Sequence, residues 1–136
     1  MVDLAEQAHM QMVAHAYDGL PDEACGLMAG PPGGSAITRF YPTRNVAESS
    51  RIYTIDPGEH LRIDRQVEDD GLELVGVMHS HTHTEAYPSP TDVAQAPDPG
   101  WHYLIVSLRQ HEPVTRSYRI VDGNIREEPI VLVGRQ

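Results

Sequence analysis

The chain has 136 residues, 40% of them hydrophobic, which suits one domain around one core. Its formal charge is −10, and all ten basic residues are arginine. That balance argues against a nucleic-acid partner, because phosphate backbones call for a basic surface. The acidic start Met1-Val2-Asp3-Leu4-Ala5-Glu6 carries no apolar run, so neither a signal peptide nor a membrane span is expected. The single cysteine, Cys25, cannot form an internal disulfide, which fits a reducing cytoplasm.

Leu4, Ala8, Met12 and Ala16, with Met10, Val13 and Tyr17, fall at helical spacing and predict an amphipathic helix over residues 3–17, ended by Gly19 and Pro21. The apolar run 24–30, the turn Pro31-Pro32-Gly33-Gly34 and residues 36–41 predict a β-hairpin. Residues 51–55 read as a strand. Asp56-Pro57 then offers an N-cap and a proline at N1 for a second helix over 57–68. Residues 72–78 are almost continuously apolar, as expected of a central strand buried on both faces. A short helix is expected from Ser89-Pro90-Thr91-Asp92, stopped by Pro97 and Pro99. A central strand over 103–108 and a closing hairpin (114–121 and 125–133) around Asp122-Gly123-Asn124 complete the pattern. The order predicts one α/β domain, residues 1–136, with a mixed sheet.

The central strand leads into HSHTHTEAYPSPTD, residues 79–92. Side chains at i and i+2 of an extended segment point the same way, so His79 and His81 can share one ion. Imidazole nitrogen suits zinc, and a catalytic zinc takes three protein ligands and leaves a fourth position for water. Glu85 and Asp92 compete for the third ligand. With Glu85 the pattern His-x-His-x3-Glu resembles half of the cupin metal motif, which would favour an iron oxygenase. However, Glu73 stands where that motif needs glycine, and two helices in the first 70 residues fit a β-barrel poorly.

With Asp92 the pattern is His79-x-His81-x7-Ser89-x2-Asp92, with Glu23 upstream ahead of a Gly-Leu-Met-Ala-Gly strand. It resembles the JAMM motif of the MPN+ (Mov34/PAD-1) zinc metalloproteases at all five positions, over nearly the whole chain, and most of all the bacterial Mec-type CysO–cysteine peptidases. The resemblance implies a JAMM/MPN-like (cytidine-deaminase-like) fold, with a curved mixed sheet, two main helices and a short helix after the metal loop. It implies one catalytic Zn2+ on His79, His81 and Asp92, with Glu23 as general base and Ser89 as oxyanion donor. The substrate it implies is a ubiquitin-like sulfur-carrier protein ending in Gly-Gly, amide-linked to cysteine, so that hydrolysis serves cysteine biosynthesis in the cytoplasm. A hydrolase trimming another carrier or small-modifier tail and a non-catalytic MPN binding module are the alternatives.

Ser80, His83 and Tyr87 stand as candidate substrate contacts or supports for the ligands. His83 reads more simply as an exposed loop histidine, and Glu85 as a loop acid. Cys25 reads as a small buried hydrophobe, and no histidine stands at a nucleophile-activating spacing around it. Trp101, Tyr103 and Tyr118 read as core or sheet-surface aromatics. His9, His15, His60, His102 and His111 have no spacing that suggests a site. An arginine such as Arg44 or Arg51 is a candidate for holding the carboxylate of the released cysteine. Oligomeric state is left open, a homodimer included.

Overall fold

A computed structural model describes residues 1–134. Its elements run β1 (Val2–Ala5), α1 (Glu6–Gly19), β2 (Cys25–Gly30), β3 (Ala36–Ile37), β4 (Arg39–Thr43), α2 (Pro57–Asp69), β5 (Glu73–His81), α3 (Pro90–Ala94), β6 (His102–Ser107), β7 (Val114–Val121), β8 (Asn124–Glu128) and β9 (Ile130–Val133). The main sheet has the order β4-β2-β5-β6-β7-β8, and a small sheet has the order β3-β1-β9. In the main sheet only β5 and β6 run parallel. This is a single α/β domain with a mixed main sheet, as the residue pattern predicts. None of its described helices is long and apolar enough to cross a membrane.

The core is layered. On one face, Ala8, Met12 and Ala16 of α1 pack with Met28, Phe40, Val75, Met78, Leu104 and Val106. On the other, Ile63 and Val67 of α2 cover Leu27 and Ala29, while Val77, Tyr103, Ile105, Tyr118 and Ile120 form a second cluster with Val93 of α3 against it. Tyr103 and Tyr118 are thus buried, as expected, and Trp101 packs at the margin of both clusters.

One irregularity decides where the histidines point. Met28 pairs with Gly76 but the next β2 residue, Ala29, pairs with Leu74, so Val75 is an extra residue in β5. Such a bulge shifts the alternation by one. Val75 therefore faces α1, whereas Val77 faces α2 and α3, and His79 and His81 follow Val77 by steps of two. Gly76 beside the bulge admits no side chain: a Cβ there would lie 2.1 Å from the His102 carbonyl.

Four segments depart from the sequence expectation. The first helix starts at Glu6 rather than residue 3, because Val2 and Leu4 are fully buried in β1, which pairs parallel with β9. The partner of β2 is interrupted at Thr38, so residues 36–37 join the small sheet and 39–43 the main one. The final strand splits at Pro129, which has no N–H to donate to a ladder, and its two halves enter different sheets. Residues 51–55 form no strand beyond a single bridge between Asn45 and Ile55. There the Ile52 carbonyl and the Thr54 N–H bond to the Asn45 side chain, and the Arg51 and Ile52 N–H groups to Ser49 Oγ, instead of to a ladder.

Candidate active site

The site is built at the C-terminal end of β5, between β2 and β6. Register brings Cys25 opposite His79 on one side, and Ile105 and Ser107 opposite His79 and His81 on the other. Just beyond β2, the Ser80 N–H donates to the Ala24 carbonyl at 2.9 Å, and Ser80 Oγ accepts the Ala24 N–H at 2.8 Å. This extends the pairing far enough to bring Glu23 alongside the end of β5. Ser80 is fully buried and ties the two strand ends together.

The third ligand candidate arrives on α3. Asp92 Oδ2 accepts the Ser89 N–H at 2.9 Å while Ser89 Oγ accepts the Asp92 N–H at 3.1 Å, a reciprocal capping box with Pro90 at the first helical position. The local helix start thus fixes the carboxylate beside the histidines.

Three donor atoms converge. His79 Nε2 and His81 Nε2 are 3.1 Å apart, and each is 3.1 Å from Asp92 Oδ2. Ligands at about 2.0–2.1 Å from a tetrahedral zinc are separated by roughly 3.3 Å, so this buried triangle fits such an ion. His81 Nδ1 donates to the Glu85 carbonyl at 2.8 Å, leaving Nε2 as the lone-pair nitrogen for a metal. Glu85 contributes its backbone here, and its exposed side chain stays outside the cluster. The clustered donor atoms among the described residues are those of His79, His81 and Asp92, and the Glu85 carboxylate is not among them.

Glu23 is the site's unsatisfied group. It is 4% exposed and its Oε1 has no hydrogen-bond partner. Burial pushes its carboxyl up to about 8, with His81 pulling it down and Asp92 pushing it up. Burial lowers the His79 pKa, against the pull of Asp92. At His81 burial also acts downward, but the hydrogen bonds to Asp92 and the Glu85 carbonyl outweigh it and raise the pKa. For Asp92 burial acts upward, yet the two histidines and the Ser89 N–H hold it well below the usual carboxylate range.

The structure separates the remaining candidates. His83 is exposed. Tyr87 is 49% exposed and meets Tyr118 edge-on at 5.6 Å, beside an open pocket of about 310 Å³ that Glu85, Arg109 and Arg116 also line. Cys25 is fully buried, its thiol 3.4 Å from Thr43 Oγ1, and burial pushes it up to about 11. Arg44 lies 3.8 Å from Asp56 on the α2 cap.

Two residues stand out only in three dimensions. Tyr53 stacks on the His79 ring (4.5 Å between centroids, 21° between planes), and Asn45 Nδ2 donates to the Glu23 carbonyl at 2.9 Å. Neither belongs to a spacing motif. The one sequence signal was the aromatic Tyr53 in a stretch that reads as a strand.

Residues 5–121 match the family described as prokaryotic homologs of the JAB domain. The chain belongs to this family. It is 50% identical over 123 residues to the CysO-cysteine peptidase of Mycobacterium tuberculosis, covering 90% of this chain and 84% of that protein. It is 37% identical over 111 residues to the desampylase of Haloferax volcanii, covering 78% and 80%. The solution structure of a Desulfitobacterium hafniense protein superposes with a TM-score of 0.91 at 36% identity, covering 99% of this chain and 94% of that one. The chain is a hydrolase of the JAMM type.

Proposed function

We propose that the protein is a cytoplasmic zinc peptidase that hydrolyses the amide bond after the C-terminal Gly-Gly of a ubiquitin-like sulfur carrier and releases cysteine. The observation that carries the reading is the convergence of His79, His81 and Asp92, with the buried Glu23, whose Oε1 has no partner, near enough for its carboxyl to feel the charges of His81 and Asp92. The 50% identity to a CysO-cysteine peptidase favours the substrate.

His79, His81 and Asp92 would hold the ion: two neutral imidazoles and one carboxylate. Bound zinc would polarise the scissile carbonyl and lower the pKa of water towards about 7. Glu23 takes a proton from the attacking water and passes it to the leaving amine, a role typically worth about 10²–10⁴-fold. Ser89 Oγ already accepts the Asp92 N–H, so its own hydrogen is free to donate to the developing oxyanion. Water adds to the glycine carbonyl, the C–N bond breaks, and the products are a Gly-Gly carboxylate and the amine of cysteine. No acyl-enzyme forms, since the one thiol nearby is buried and strongly protonated. The same chemistry on another small-modifier tail is the second reading, favoured by the likeness to a desampylase.

The test is incubation with a carrier ending in Gly-Gly-Cys, with and without chelator, read by intact mass beside Glu23→Gln. Loss of one cysteine that chelator and Glu23→Gln both abolish is expected. Wild-type cleavage by Glu23→Gln would overturn the mechanism. Cleavage of a modifier conjugate but not of Gly-Gly-Cys would move the substrate to the second reading.

A further inference from the structure

The segment 45–55 has no regular secondary structure, yet it touches three parts of the site. The Glu23 N–H donates to the Ser49 carbonyl at 2.8 Å, and the Glu23 carbonyl accepts from Asn45 Nδ2 at 2.9 Å. Both backbone groups of the base are thus held by this segment. Thr82 Oγ1, next to the ligand His81, donates to the Ser50 carbonyl at 3.3 Å. The Tyr53 ring lies on the His79 imidazole.

Asn45 is the hub that gives the segment its shape. Its Nδ2 also donates to the Ile52 carbonyl at 3.1 Å, with the Ser49 carbonyl at 3.5 Å. Its Oδ1 accepts the N–H groups of Ala47 and Thr54, both at 3.0 Å. One amide side chain therefore satisfies both ends of an eleven-residue turn and the Glu23 carbonyl together.

The two histidines are oriented differently. His81 donates Nδ1–H to a carbonyl, the usual device for fixing a metal-binding imidazole. His79 bonds through Nε2, to His81 and Asp92. On its faces His79 meets the Tyr53 ring, in the near-parallel geometry that aromatic pairs favour, and the edge of His81.

We propose that residues 45–55 form a strap whose Asn45 positions the base Glu23 and whose Tyr53 positions the ligand His79. This rests on the roles given to Glu23 and His79 above. Both are positioning residues acting through another side chain. Supports of a metal ligand typically cost about 10–100-fold when removed, and a base misplaced by about 1 Å costs about 10²-fold in rate.

The test separates the two arms. Zinc affinity is measured by competition with a chromogenic chelator, without substrate. Tyr53→Leu is expected to weaken it about 10-fold or more, and Tyr53→Phe, which keeps the ring, about twofold or less. Asn45→Asp keeps an acceptor for Ala47 and Thr54 but loses the donor to Glu23. It is expected to lower kcat about 10-fold or more with KM and zinc affinity within about twofold, and to speed amide hydrogen exchange at Glu23. Thermal unfolding of the metal-free variants guards against global loss of fold. Wild-type zinc affinity in Tyr53→Leu, or wild-type kcat and Glu23 exchange in Asn45→Asp, would overturn the corresponding arm. A wild-type protein that binds zinc but leaves Gly-Gly-Cys uncut would sink the substrate reading alone, because the zinc and exchange measurements still decide the strap.

Discussion

Ser89 and Asp92 cap each other: each backbone N–H is taken by the other's side chain, at 2.9 and 3.1 Å. The same Asp92 oxygen that accepts the Ser89 N–H also faces both histidines. The bonds that start the helix therefore also place the carboxylate proposed as third ligand.

The capping role of Ser89 and the oxyanion role proposed for it can be split by substitution. Glycine at an N-cap costs only a few tenths of a kcal/mol against serine. Ser89→Gly should therefore keep the fold and zinc affinity while losing the hydroxyl donor. Loss of one oxyanion donor typically costs about 10²–10³ in kcat. Steady-state kinetics with chelator-competition titration checks this; a Ser89→Gly enzyme with wild-type kcat would remove Ser89 from catalysis.

The Glu23 carboxyl gives the metal-free protein a pH signature. Its pKa rises from 4.5 to about 8 on folding, chiefly through burial. A raised carboxyl favours the folded state while it is protonated. That contribution is complete below about 4.5 and is lost as pH rises through about 8. In excess chelator, wild type should lose stability relative to Glu23→Gln between pH 5 and 9 in urea unfolding. A positive ion beside Glu23 reverses the preference, so zinc uptake at pH 7 should release more protons from wild type than from Glu23→Gln. Parallel slopes for the two proteins would show that Glu23 titrates normally.

A buried polar cluster at the other end of β6 serves the fold. His102 bonds Glu128 Oε2 at 2.6 Å and the Gly34 carbonyl, and Ser117 Oγ donates to Glu128 at 2.8 Å. His102→Ala leaves a carboxylate that is 6% exposed with Ser117 Oγ and the more distant Arg119, and breaking such a buried pair typically costs about 3–5 kcal/mol. His102 lies five residues from Ser107, about 16 Å along the strand, so zinc affinity should not change. Denaturant unfolding and zinc titration of the same variant read both.

What the sequence disclosed follows the range of the interactions. The cap at Ser89-Pro90-Thr91-Asp92 and the cap at Asp56 that accepts the Gly58 N–H are local, and both stand where the residues predict. The apolar run of β5 and its histidines are contiguous, so they are legible too. Tyr53, Asn45 and His102 are not, because their partners are distant: Asn45 reaches 22 positions to Glu23, and His102 reaches 26 to Glu128 and 68 to Gly34. The split of the last strand was signalled by Pro129, a residue that a long central strand would not carry. The bulge at Val75, which decides which face receives His79 and His81, is signalled only by Gly76 inside the apolar run, a cue the reading of 72–78 as one regular strand does not use.

Asp92 and Glu85 make opposite predictions for metal binding. Asp92 Oδ2 lies at 3.1 Å from both imidazoles, whereas Glu85 offers them only its carbonyl, through His81 Nδ1. A ligand present only in the folded state stabilises it by mass action, by about 2.7 kcal/mol at a hundredfold excess over Kd. For a chain of this length that raises Tm by roughly 10 °C. Wild type and Glu85→Ala should both show that rise on adding zinc, and Asp92→Asn should show little of it, since a neutral amide is a poor third ligand beside two imidazoles. Differential scanning fluorimetry across a zinc series decides between them. A lost rise in Glu85→Ala with a full one in Asp92→Asn would move the third ligand to Glu85 and reopen the oxygenase-like site.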